Sequence, residues 1–149
     1  MMVYQTPVLE KDIQIIGPIV VKLSASSDCP DTDFTAKLVD VYPPSNDFPQ
    51  GFEMNITDGI IRARYRNSPE KPELMEPGKV YEITIEPFST ANVFKKGHRI
   101  RLDISSSNFP NMDVNPNTGD FTGNSNVVRK ALNTIFHAEG NPSYAICQL

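Results

Sequence analysis

Thirteen prolines are spread through 149 residues, from Pro7 to Pro142, and no other feature narrows the fold as much. Proline fixes φ, lacks a backbone N–H and collides with the preceding helical turn, so it is excluded from helix interiors. At about 9% it occurs near twice its ordinary ~5% frequency, and its spacing leaves few stretches that can hold a long helix. An all-helical chain is therefore excluded, and β-structure must account for the core.

Apolar residues alternate with polar ones in short runs bounded by Pro, Gly, Asn and Asp, the pattern of half-buried strands. The first run, Asp12 to Ala25, is interrupted by Gly17-Pro18 and sets Ile19, Val21 and Leu23 on one face; the proline predicts an edge or a bulge there. After a turn at Asp28-Cys29-Pro30-Asp31, a strand is expected up to Tyr42, with Phe34, Ala36 and Leu38 on one side. Ser45 to Asp58 reads as a hairpin or loop, and Asp58-Gly59, a turn signal, is expected to open a strand from Ile60 to Tyr65. Val80 to Pro87 and His98 to Ser106 alternate most clearly. Ser107 to Asn126, poor in aliphatic residues and rich in Asn, Pro, Gly and Asp, is a long irregular connection of the kind that is often functional or interfacial. Val127 to Phe136 carries both helical and alternating spacing; a strand is expected from Leu132 to His137, followed by a last strand from Tyr144 to Leu149. Some seven short strands point to a single all-β domain, an antiparallel sandwich.

Charge excludes some partners. Fourteen Lys and Arg against eighteen Asp and Glu give −4, which argues against nucleic acid and anionic membrane surfaces. No apolar run approaches the ~20 residues of a membrane-spanning helix, and the N-terminus lacks the basic and apolar regions of a secretion signal, so a cytoplasmic location is expected. The two cysteines, Cys29 and Cys147, are too few for a disulfide scaffold.

Catalytic and metal chemistry find little support. Gly123-Asn124-Ser125-Asn126-Val127 is the nearest approach to a nucleophile elbow, but it lacks the second glycine and the strand-to-helix setting. His98 and His137 read as structural. Asp113 to Asp120 offers alternating oxygen ligands, yet Thr118 and Asn124 stand where a calcium-binding EF-hand loop needs Gly and Glu. No catalytic residue, metal or cofactor is assigned. The informative charges are the arginines. Arg62, Arg64 and Arg66 are expected on one strand face, Arg99 and Arg101 on another, and cations in such rows call for carboxylate or backbone-carbonyl partners; Asp31, Asp33, Asp40, Asp58 and Asp103 are the available anions, and aspartates such as Asp40 or Asp103 are candidates for structural ion pairs with Arg62, Arg64, Arg99 and Arg101. The face is either solvated or docked against another domain.

Several strings resemble one family. Asp31-Thr32-Asp33-Phe34-Thr35-Ala36-Lys37-Leu38-Val39-Asp40-Val41, Asp58-Gly59-Ile60-Ile61-Arg62-Ala63-Arg64-Tyr65-Arg66, Phe94-Lys95-Lys96-Gly97-His98-Arg99-Ile100-Arg101-Leu102, Ser105-Ser106-Ser107-Asn108-Phe109-Pro110 and Asn115-Pro116-Asn117-Thr118-Gly119 look like the C-terminal domain of X-Pro dipeptidyl-peptidases and cocaine-esterase-type (CocE/NonD) serine hydrolases. They follow the family's order over nearly the whole chain. The resemblance implies a jelly-roll β-sandwich of galactose-binding-like shape, residues 1–149 forming one C-terminal domain whose Ser-Asp-His triad lies in an upstream α/β-hydrolase domain outside this chain. It also implies packing on that domain, a part in shaping active-site access, and oligomer contacts. Met1-Met2 ahead of a strand-entry segment suits an excised domain or a split gene product, with the first edge strands of the sandwich left behind. The alternative is a stand-alone carbohydrate- or ligand-binding jelly roll, although sugar-binding surfaces usually present exposed aromatics and the chain has no tryptophan. Phe109 and Phe121, with Asn115 and Asn117, are the candidate interdomain surface; the competing reading has the two phenylalanines plugging the domain's own core.

Overall fold

The computed structural model describes residues 1–122 and 126–148, and among these it contains ten strands and no α-helix. In chain order they are β1 (Met2–Gln5), β2 (Ile13–Gly17), β3 (Ile19–Ser27), β4 (Asp33–Tyr42), β5 (Phe52–Arg62), β6 (Tyr81–Ile85), β7 (Thr90–Phe94), β8 (Arg99–Ser105), β9 (Asn133–Phe136) and β10 (Tyr144–Cys147). One antiparallel sheet runs β1-β8-β4-β5 and a second β10-β3-β6, with β9 pairing the far half of the same edge of β3; β2 and β7 form a separate ribbon. The two larger sheets share one core in which Val21, Leu23, Phe34, Ala36, Ile83, Ile85, Phe94 and Ile104 are almost wholly buried. Each of these side chains larger than Ala36 contributes about 1.5–3 kcal/mol by leaving water.

The alternation dictates which residues enter the core. Register sets Ala36 beside Ile104 and Leu38 beside Leu102, so these share the inner face, while Val39 beside Arg101 and Lys37 beside Asp103 take the outer one. Gly17-Pro18 is a sheet-changing corner: β2 pairs with β7, β3 with β6, β9 and β10, and Gly17 bends between them at φ 113°. Positive φ of this size suits glycine because it has no Cβ to collide with the backbone.

Two boundaries correct the sequence reading. Asp58-Gly59 is no turn but mid-strand in β5, which spans Phe52–Arg62 and pairs with β4 around a bulge at Leu38/Val39. Glycine is needed there for a different reason: a Cβ on Gly59 would lie 2.8 Å from Pro87 Cα, so two backbones pass at a distance only glycine permits. The expected strand from Ile60 to Tyr65 ends early, at Arg62, and Ala63–Tyr65 forms a 3-10 turn. Arg64 therefore leaves the row of alternating cations and turns inward, 3% exposed. Strand β10 is described to Cys147; Leu149, like the Gly123-Asn124-Ser125 segment of the supposed elbow, lies outside the described residues.

Candidate interdomain surface

The connection after β8 has no regular element among its described residues, as its composition predicts, yet it is firmly attached to the sheet beneath it. Asn108, 4% exposed, donates from Nδ2 to Asp58 Oδ2 on β5 at 3.0 Å. Asn115, 2% exposed, donates to Asp31 Oδ2 at 2.9 Å and Asp33 Oδ1 at 2.7 Å, while its own side-chain oxygen accepts from the N–H of Asn117. Asn117 holds φ at 61° and sends its amide nitrogen to the Arg129 carbonyl, tying the segment after residue 126 to the loop. Asn tolerates this left-handed conformation better than most residues. Asn115 and Asn117, expected at an interdomain surface, fasten the loop internally: Asn115 is buried on the carboxylates of Asp31 and Asp33, and Asn117 is half-buried with its amide on the Arg129 carbonyl.

Asp31 is the hub. Fully buried, it accepts from the backbone N–H of Arg64 at 3.0 Å and from its guanidinium at 2.7 Å. The remaining reach of Arg64 goes to the Asp120 carbonyl at 2.9 Å, and its guanidinium carbon sits 4.7 Å from the centre of the Phe121 ring. One cation therefore joins the 3-10 turn, the buried carboxylate, the loop and an aromatic ring. Arg62 makes a two-point contact with Asp33, at 3.0 and 3.2 Å, which raises its pKa. The N–H and hydroxyl of Thr122 donate to Asp120 and hold its pKa below the usual carboxylate value, and the N–H of Leu132 does the same for Asp28.

Of the remaining charges, Arg101 takes the expected partner and Asp40 does not. Arg101 reaches Asp103, its neighbour on the outer face of β8, at 3.0 Å, and also Glu53, whose hydrogen bond raises its pKa. Arg99 donates to the carbonyl of Thr6 at 3.0 Å. Asp40 is no partner of these arginines. It registers with Ile100 on the inner face, whereas Arg99 and Arg101 register with Val41 and Val39 on the outer one; its carboxylate instead meets His98 Nδ1 at 2.8 Å. His137, the other histidine, lies 2.8 Å from the Tyr4 hydroxyl.

On this attached layer the apolar side chains point outward. Phe109 is 73% exposed and Phe121 58%, so neither plugs the core. Val114, Val127, Val128 and Leu132 are exposed as well. Composition marked the loop but not its polarity, because which side of an irregular segment faces the sheet is decided by the buried carboxylates below it. Asp31 and Asp33 stood among the anions available to the arginines and do pair with Arg64 and Arg62; the part that sequence reasoning missed is that of Asn115, buried on both carboxylates.

Comparison with known proteins places the chain among hydrolases. The cocaine esterase of Rhodococcus sp. (strain MB1 Bresler) is 41% identical over 145 residues, covering 96% of this chain and 24% of the esterase. Among solved structures, an α-amino acid ester hydrolase superposes with a TM-score of 0.88 at 29% identity, over 98% of this chain and 25% of that one. An aminopeptidase from a marine sediment archaeon, Thaumarchaeota archaeon, gives 0.89 at 28% identity, over 99% and 25%. The chain spans about a quarter of the length of each of these relatives. The model of the X-Pro dipeptidyl-peptidase C-terminal non-catalytic domain matches residues 1–146, and the chain belongs to that family.

Proposed function

We propose that this domain is a jelly roll of galactose-binding-like shape that packs on the catalytic α/β-hydrolase domain of a serine hydrolase and helps shape access to its active site. The parent's substrates would be esters, amides or X-Pro peptides; the cocaine esterase and the α-amino acid ester hydrolase are named for esters, and a relative from Bacillus anthracis, 28% identical, is named a putative Xaa-Pro dipeptidyl-peptidase. The observation that carries the reading is Phe109, 73% exposed on a loop that is otherwise hydrogen-bonded down to the sheet. A phenylalanine held in water gains nothing for the domain alone; burying its ~150–250 Å² against a partner stabilises the pair.

Activity measured with and without the domain tests this. The purified 149-residue chain is expected to turn over neither chromogenic esters nor X-Pro anilides. The parent enzyme without these residues is expected to lose most of its activity and to melt at a lower temperature. A parent that keeps full activity and stability without them would refute the packing role.

A further inference from the structure

The connection from β6 to β7 carries an exposed aromatic ring that the loop after β8 does not account for. Phe88 is 74% exposed, as open to water as Phe109 at 73%. The backbone that presents it is firmly held. Its carbonyl accepts from the buried Thr57 hydroxyl at 2.6 Å, and Pro87 lies so close to Gly59 that no Cβ fits between them. The ring takes no part in either contact, so in water it adds nothing to what the backbone already secures.

The residue between Thr57 and Gly59 holds the other loop, for Asp58 accepts from Asn108 at 3.0 Å. Register decides the faces. Thr57 and Gly59 stand beside Leu38 and Ala36 on the inner face, and Asp58 stands beside Lys37 on the outer one, because successive side chains of a strand point to opposite sides. Strand β5 ends its sheet. Two connections therefore grip three consecutive residues of one edge, one from each face, and each presents a phenylalanine at or next to the residue that fastens it. Aromatic side chains held on rigid backbone are the usual anchors of an interface, since little motion remains to be lost on docking.

We propose that the catalytic domain of the parent straddles the β5 edge, with Phe88 as a second anchor on the far side of that edge from Phe109. The inference rests on the reading of the chain as a domain packed on a catalytic domain; it adds a second contact surface and the strand between the two. Continuity selects the occupant, because the residues that position Phe88 flank the one that positions the Phe109 loop. Area agrees: Phe88, Phe109 and Phe121, at 74%, 73% and 58% exposure, offer roughly 300–500 Å². Domains within one chain meet over ~600–1,500 Å², less than the ~1,600 Å² typical of separate molecules. About three-quarters of the length of the relatives lies outside the segment this chain matches, ample for such a domain.

Hydroxyl-radical footprinting, read at each phenylalanine in this chain and in the full-length parent, tests it. Phe88 and Phe109 are expected to be modified readily in the chain alone and several-fold less in the parent. Protection of Phe109 with Phe88 unchanged overturns the proposal and leaves the functional reading standing. Protection of Phe88 with Phe109 unchanged overturns both, because the two loops then share no partner, and protection of Phe88 that disappears on dilution overturns the proposal in favour of a second copy. Phe88→Asp gives an independent readout. It is expected to leave the melting temperature of the chain alone unchanged and to lower that of the parent by several degrees; a parent that melts as before overturns the proposal.

Discussion

Along β4 and β5, Asp31, Asp33, Arg62, Arg64 and Asn115 satisfy one another and fasten the loop that covers them, whereas along β1 and β10 the core side chains border an unfilled cavity. The first flank is finished by residues of this chain, because buried charges are tolerated only when their partners are built in. The second tolerates a gap, because an apolar cavity costs packing without stranding any charge. The flank rich in polar residues is thus the self-sufficient one, and the side chains it displays on its outer surface include the apolar Phe109, Val114 and Phe121.

The comparison breaks most visibly at Arg64. Arg64→Ala leaves Asp31 buried beside only Asn115 and a backbone N–H, and loss of one partner of a buried pair costs ~3–5 kcal/mol, a large share of a domain's ~5–15. Urea denaturation of the chain alone is expected to show this loss; a change under about 1 kcal/mol would mean that the network is ornamental. A smaller effect belongs to Phe121. Its ring lies over the Arg64 guanidinium, so Phe121→Ala in the chain alone is expected to cost ~0.5–1 kcal/mol, and a core-sized loss would place the ring inside the domain.

The smallest effect is electrostatic and local. Asp120 and Asp28 both titrate below the ordinary carboxylate value, held down chiefly by the N–H groups of Thr122 and Leu132 respectively. A carboxyl depressed in the folded state contributes stability above its unfolded pKa, ~3.9, and loses it as pH falls through the folded pKa. Acidification below pH ~3.9 is expected to lower the protection of the Thr122 and Leu132 amides, measured against their intrinsic exchange rates at the same pH, before the core sheets respond. Simultaneous loss at both the loop and β3 would show that the loop has no independent attachment.

Much of this division was legible in the sequence, for physical reasons that also mark where it stopped. Strands β3, β4, β6 and β8 announce themselves because their inner faces carry Val21, Leu23, Phe34, Leu38, Ile83, Ile85 and Ile104 at period two. Strand β7 is silent: Thr90, Asn92 and Phe94 are its more buried positions while Val93 is 40% exposed, so its polarity runs against the template. Asp58-Gly59 misleads because a turn dipeptide and a close backbone crossing both require glycine, and only the position of Pro87 tells them apart. The arginine rows suggested buried pairs, but partner choice depends on which strands lie side by side and on the 3-10 turn that carries Arg64 inward, neither of which spacing reveals. Phe109 and Phe121 stood out as hydrophobes in a polar loop; their outward direction follows from Asn108, Asn115 and Arg64 holding the opposite side.

The central claim is that the outer face of this loop is a docking surface. Phe109→Asp, made both in the chain alone and in the full-length parent and followed by thermal unfolding, tests it most directly. The chain alone is expected to change by no more than ~0.5 kcal/mol, as for an ordinary surface substitution. The parent is expected to melt several degrees lower and to lose activity as its domains separate. Equal destabilisation of both proteins, or a parent as stable and active as before, would contradict the assignment.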